Sequence, residues 1–117
     1  MAFHTSLPIY KVAYDLMSVV TEYAVNFPRP VRRIGDRVRD LCIDTVLLIA
    51  KANAAANKVP QLAELLERNR ELELLLRLCV DKRWISRPQY AKAIDLTASV
   101  GRQATKWKGS SNVSPAA

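Results

Sequence analysis

The chain carries one histidine, His4, close to its first residue, and two cysteines, Cys42 and Cys79, each inside an apolar run. A Ser-His or Cys-His nucleophilic pair would have to recruit His4 from that short arm. No Cys/His set has zinc-ligand spacing, and no Glu-x-x-His pair of the di-iron bundle type occurs. A glycine-rich phosphate loop is also missing. Glu71 and Glu73 are two positions apart, so on a helix they point to different faces and cannot work as paired carboxylates. The sequence therefore predicts no catalytic residue, no metal site, no cofactor and no enzyme activity.

The residue type that could do chemistry here is arginine. Arg29, Arg32, Arg33, Arg37 and Arg39 crowd one stretch, and Lys82, Arg83, Arg87 and Lys92 crowd a second. Arginine pairs bidentately with phosphate, so its excess over lysine at the first stretch favours a phosphate backbone over a diffuse cationic surface. Trp84 and Tyr90 lie beside the second stretch, where they could stack on bases or close the end of a helical bundle. A further basic group, Arg102, Lys106 and Lys108, flanks Trp107. The whole chain has 18 Lys+Arg against 11 Asp+Glu, a formal charge of +7, which favours an anionic partner: nucleic acid, an acidic protein or a membrane surface.

The elements that must position these residues are helices. Of 117 residues, 50% are hydrophobic and only three are glycine, fewer than the turns of a sheet protein would use. The central stretch is Gln61–Trp84. Leu62, Leu65, Leu66, Asn69, Leu72, Leu75, Leu76 and Cys79 recur in it at three- and four-residue steps, so they share one helix face. An earlier helix is predicted from an N-cap at Ser6, through Pro8, to Asn26, with Ile9, Val12, Ala13, Leu16, Val20, Tyr23 and Phe27 inward. The Phe27–Pro30 corner reads as non-helical, because each proline pushes the residue before it out of the α region. A second helix follows over Val31–Asn57, with Val31, Ile34, Val38, Leu41, Thr45, Leu48, Ile49, Ala52 and Ala56 inward. Ser86 and Pro88 open a fourth, with Tyr90, Ile94, Thr97, Val100, Gly101 and Ala104 inward. Short connections between long helices predict an all-α, antiparallel up-down-up-down four-helix bundle over residues 1–108 and a disordered polar tail over 109–117.

In that topology the first and third connections share a pole, which gathers Arg29, Arg32, Arg33, Arg37, Arg83 and Arg87 as candidate nucleic-acid contacts. Arg102 and Lys106 form a further candidate group near the opposite pole. Between Leu41 and Ala50 the second helix is apolar nearly all round, and Leu74 and Leu78 lie off the main stripe of the third. One core cannot absorb every such face. Ile43, Leu47, Leu74 and Leu78 are therefore candidate oligomer contacts. The two cysteines read as buried hydrophobes of a reducing compartment. With no long apolar run and no leader pattern, the expected location is cytoplasmic, with no membrane partner.

Two stretches carry a resemblance: Phe27-Pro28-Arg29 leading into RRIGDRVRDLCIDTVLLIAKAN, and ERNRELELLLRLC in the third helix. Together they resemble the small four-helix-bundle family that includes proteins encoded in ribosomal-RNA intervening sequences and the accessory variability determinant (Avd) proteins of diversity-generating retroelements. The similarity spans roughly residues 7–108. Intervening-sequence members end the second helix in an Asn-x-x-Glu-Gly segment. AKANAAAN here lacks it, which favours the retroelement branch. The resemblance implies a homopentamer that binds the retroelement reverse transcriptase and its template RNA, with DNA as a further ligand, as a non-catalytic helper of mutagenic cDNA synthesis. It matches Arg29, Arg32, Arg33 and Arg37 to the family's basic start of the second helix. The alternative is a structural oligomeric bundle of the intervening-sequence type whose charge meets an acidic partner.

Overall fold

The computed structural model describes residues 3–111, and these form four long helices with no strand. A 3-10 turn, His4–Ser6, precedes α1 (Pro8–Val25). A second 3-10 turn, Arg29–Val31, leads into α2 (Arg32–Ala54). Then come α3 (Val59–Asp81) and α4 (Arg87–Ser111). Consecutive helices pack on one another and α4 closes against α1, in a rod about 54 Å long and 22 Å across.

The inward stripes are those expected from three- and four-residue spacing. Ile9, Ala13, Leu16 and Val20 of α1, and Leu62, Leu65, Asn69, Leu72, Leu76 and Cys79 of α3, are buried. Cys42 and Cys79, read from the sequence as buried hydrophobes, are both in the core. Burial pushes the Cys42 thiol up to about 12 and that of Cys79 to about 11. Gly35 lets α1 approach α2 closely: a Cβ there would sit 3.2 Å from the Phe27 ring and 3.5 Å from the Ala24 Cβ.

Helix ends depart from the sequence boundaries for specific reasons. Ser6 does not cap α1; its hydroxyl donates to the Phe3 carbonyl and closes the preceding turn. Arg29 and Pro30 are helical after all, in a 3-10 turn, because a proline in a first turn gives up an N–H that has no partner there. At the other end of α2, the Lys58 ammonium donates to the carbonyls of Ala52, Asn53 and Ala55 and stops the helix at Ala54, short of Asn57. Ser86 does cap α4, reciprocally: its hydroxyl accepts from the Gln89 N–H, and the Gln89 side-chain oxygen accepts from the Ser86 N–H. α4 continues through Gly109 to Ser111, three residues past the predicted boundary. The rest of the predicted tail, 112–117, lies outside the described residues.

Candidate nucleic-acid interface

The α3–α4 connection is built by the end of α3. The Trp84 N–H donates to the Cys79 carbonyl at 2.9 Å, and the Arg83 N–H to that of Val80 at 3.1 Å. This pair of bonds is a Schellman ending, and it requires a left-handed residue between them. Arg83 occupies that position at φ 61°. A residue with a Cβ is strained there by about 1–2 kcal/mol, and its side chain is exposed. The same turn lays the Trp84 ring against Phe27, with centroids 6.0 Å apart. The Tyr23 hydroxyl of α1 donates to the Gln89 carbonyl at the start of α4. The α1–α2 and α3–α4 connections are thereby brought together, and so are their arginines.

A groove of about 940 Å³ opens at this corner, lined by Arg77, Arg83, Trp84, Arg87 and Tyr90 among others. Arg83 and Arg87 make no ion pair among the described residues, nor do Arg29, Arg32 and Arg33. Arg77 is held by Asp81, which raises its guanidinium above the ordinary value, chiefly through that hydrogen bond. Arg37 does not belong to the open cationic set. Its guanidinium forks onto Glu71 of α3, with Nε to Oε2 at 2.6 Å and Nη2 to Oε1 at 2.7 Å. The bond from Arg37 in turn holds the Glu71 carboxyl below its usual range. Arg39 is likewise paired, with Asp36.

Arg102 and Lys106 lie in the later half of α4, toward its Trp107 end. Trp107 turns toward Leu7, Pro8 and Ile9 of the α1 start. Arg102 and Lys106 instead line a second groove between α3 and α4, of about 510 Å³, opposite Arg70 and Glu73. Its floor is polar. Asn69, buried, donates to the Thr97 carbonyl at 2.9 Å, and the Thr97 hydroxyl donates to Glu73 at 2.9 Å. Gly101 makes room for that amide, since a Cβ would lie 3.3 Å from the Asn69 nitrogen.

Sequence reasoning singled out neither Arg70 nor Arg77. Their signal was the seven-residue spacing of Arg70 and Arg77, two turns apart and therefore on one face of α3.

Among the candidate oligomer contacts, Leu74 is 69% exposed, Leu47 51% and Ile43 44%, while Leu78 is partly buried. No helix among the described residues is long and apolar enough to cross a membrane. No family model, no curated protein and no solved structure matches the chain.

Proposed function

We propose that this chain is a non-catalytic, nucleic-acid-binding accessory protein of a diversity-generating retroelement, which engages the reverse transcriptase and its template RNA in the cytoplasm. The observation that carries the nucleic-acid part is the open arginine set at one end of the rod. Arg83 and Arg87 flank Trp84 and Tyr90 without an acidic partner, and the Phe27–Trp84 contact brings the Arg29–Arg33 corner beside them. The retroelement and polymerase parts rest on the sequence resemblance.

An antiparallel up-down-up-down bundle is our reading of the helix directions. Tyr23, late in α1, meets Gln89, early in α4, and Ile9, early in α1, meets Trp107, late in α4. The same inversion pairs Arg37 with Glu71 and Leu48 with Glu64 across α2 and α3. In this reading the copies assemble as a homopentamer through the outer edge of α2, where Ile43 and Leu47 stand one turn apart in the open, and through Leu74 of α3.

Filter binding of a structured RNA across a salt series tests the reading. Affinity should fall steeply with salt, with a logarithmic slope of about 0.7–0.9 per phosphate neutralised. Arg29→Ala with Arg33→Ala should flatten that slope and leave helicity unchanged, because both side chains are exposed and unpaired. A chain that ignores RNA at low salt, yet binds an acidic protein, would replace this function with that of a structural bundle.

A further inference from the structure

The two cationic grooves between α3 and α4 are parts of one furrow. On α3, Arg70 and Arg77 stand seven residues apart on one face and line the two grooves in turn, and Trp84, in the connection just past the helix end, lines the first. On α4, Tyr90 lines the first groove and Thr97, Gly101 and Thr105 line the second, at seven- and four-residue steps along one side of the helix. Two adjacent helices leave one solvent-facing furrow between them, so the grooves are successive stations along it. From Arg87 to Lys106 the furrow runs 19 residues along α4, about 28 Å at 1.5 Å per residue.

We propose that this furrow holds one single strand of nucleic acid lengthwise, with an unpaired base against Trp84 and Tyr90 at one end and phosphates on Arg83, Arg87, Arg70, Arg102 and Lys106 along it. The inference rests on the nucleic-acid reading above and adds the strandedness, the face and the footprint. Two features select a single strand, and a third leaves the furrow open to an anion. Trp84 and Tyr90 are partly buried in the groove lining, and stacking on such rings needs an unpaired base. The cations come from both walls, so they flank one backbone. The acids in the furrow are already engaged: Glu73 accepts from Thr97, and Asp81 is paired with Arg77. At 3.4 Å per stacked nucleotide the furrow accommodates at most about eight nucleotides, within the range of roughly 4–16 known for compact single-strand modules.

The test uses the whole chain in anisotropy titrations at low salt, with labelled oligo(U) and oligo(dT) of about two to sixteen nucleotides and a duplex of matching length. Affinity should rise with length and level off by about eight nucleotides, and the duplex should bind roughly tenfold more weakly or worse. Oligo(U) and oligo(dT) should bind alike, since phosphates and base faces are common to both. In a Trp107→Phe background, which leaves Trp84 as the one tryptophan, the single strand should quench the fluorescence. Arg70→Glu with Arg102→Glu should lower single-strand affinity roughly tenfold or more. Adding Asp15→Arg and Glu22→Arg on exposed positions of α1 returns the formal charge to +7; affinity should not return with it. Recovery in that charge-restored chain, equal duplex binding, or affinity that keeps climbing with length would overturn the furrow while leaving general RNA binding intact. A chain that binds neither single strands nor structured RNA removes both readings at once.

Discussion

The α3–α4 and α1–α2 furrows have opposite character, although both lie between packed neighbouring helices of one small rod. The first presents six basic side chains against two acids, and both acids are engaged within it. The second is lined by Glu22, Asp36 and Asp40 against Arg39 alone, with Tyr14, Met17 and Ile43 between them. A net charge of +7 thus says little about any one face. One furrow offers phosphate-binding groups and aromatic rings, and the other offers acids around an exposed apolar strip. Under the proposed function the basic furrow would meet a nucleic-acid backbone and the acidic, apolar one a protein.

The largest effect should come from breaking the protein face. Ile43→Glu places a charge where the proposed oligomer buries an apolar side chain, at a cost of about 3–5 kcal/mol to assembly. Sedimentation should show the complex falling to single chains, with far-ultraviolet circular dichroism unchanged, because Ile43 is 44% exposed in the isolated chain. Binding of short single strands should survive. If Ile43→Glu leaves the particle size unaltered, the apolar strip of the α1–α2 furrow is not a subunit contact.

A smaller change sharpens the other face. Arg83 holds a left-handed conformation that glycine adopts without strain. Arg83→Gly should therefore raise stability by about 1 kcal/mol, a melting shift of a few degrees. The same substitution removes a cation from the α3–α4 furrow, so thermal midpoint and affinity for a short oligonucleotide should move in opposite directions. Parallel movement would mean that the strain serves something other than presenting this guanidinium.

The smallest effect belongs to the seam between the two furrows, where Arg37 grips Glu71. The Glu71 carboxyl is held low in the folded chain by that bond. Its contribution is present above the unfolded carboxylate pKa, near the ordinary value of 4.5, and is lost as pH falls through the lowered folded value. Arg37→Ala should reduce the thermal midpoint slightly at neutral pH, and the gap from the native chain should close as the medium is acidified below the ordinary carboxylate range. A gap of constant size across that window would indicate lost packing and not a lost ion pair.

Much of this molecule was legible as text. The leucine spacing of α3 and the stripe of α1 predicted the buried residues almost one for one, since a residue's place on a helix face follows from its number. Ser86 read correctly as a cap, with Gln89 three residues on to complete the reciprocal pair. Ser6 likewise precedes a proline-containing first turn, yet it bonds backward to Phe3; two competing local hydrogen bonds cannot be ranked from composition. Lys58 ends α2 by reaching three carbonyls at once, a role visible only when the chain has already turned. For the candidate site, the arginine-rich corner and its aromatics were recognisable. The removal of Arg37 into a pair with Glu71 was not, because the two residues lie 34 positions apart.

The sequence by itself determined the number of helices, their inward faces, the corner that gathers arginine, and the surplus of positive charge. These follow from periodicity and from the conformational limits of proline, which act over a few residues. Tertiary structure alone decided which charges remain open. It set Arg37 against Glu71, placed Trp107 in a cleft with Leu7, Pro8 and Ile9, and put Arg102 and Lys106 in one groove with Arg70. Those outcomes depend on the relative rotation and offset of helices that meet only after packing. The electrostatic character of a face is a sum over residues that the chain order keeps apart.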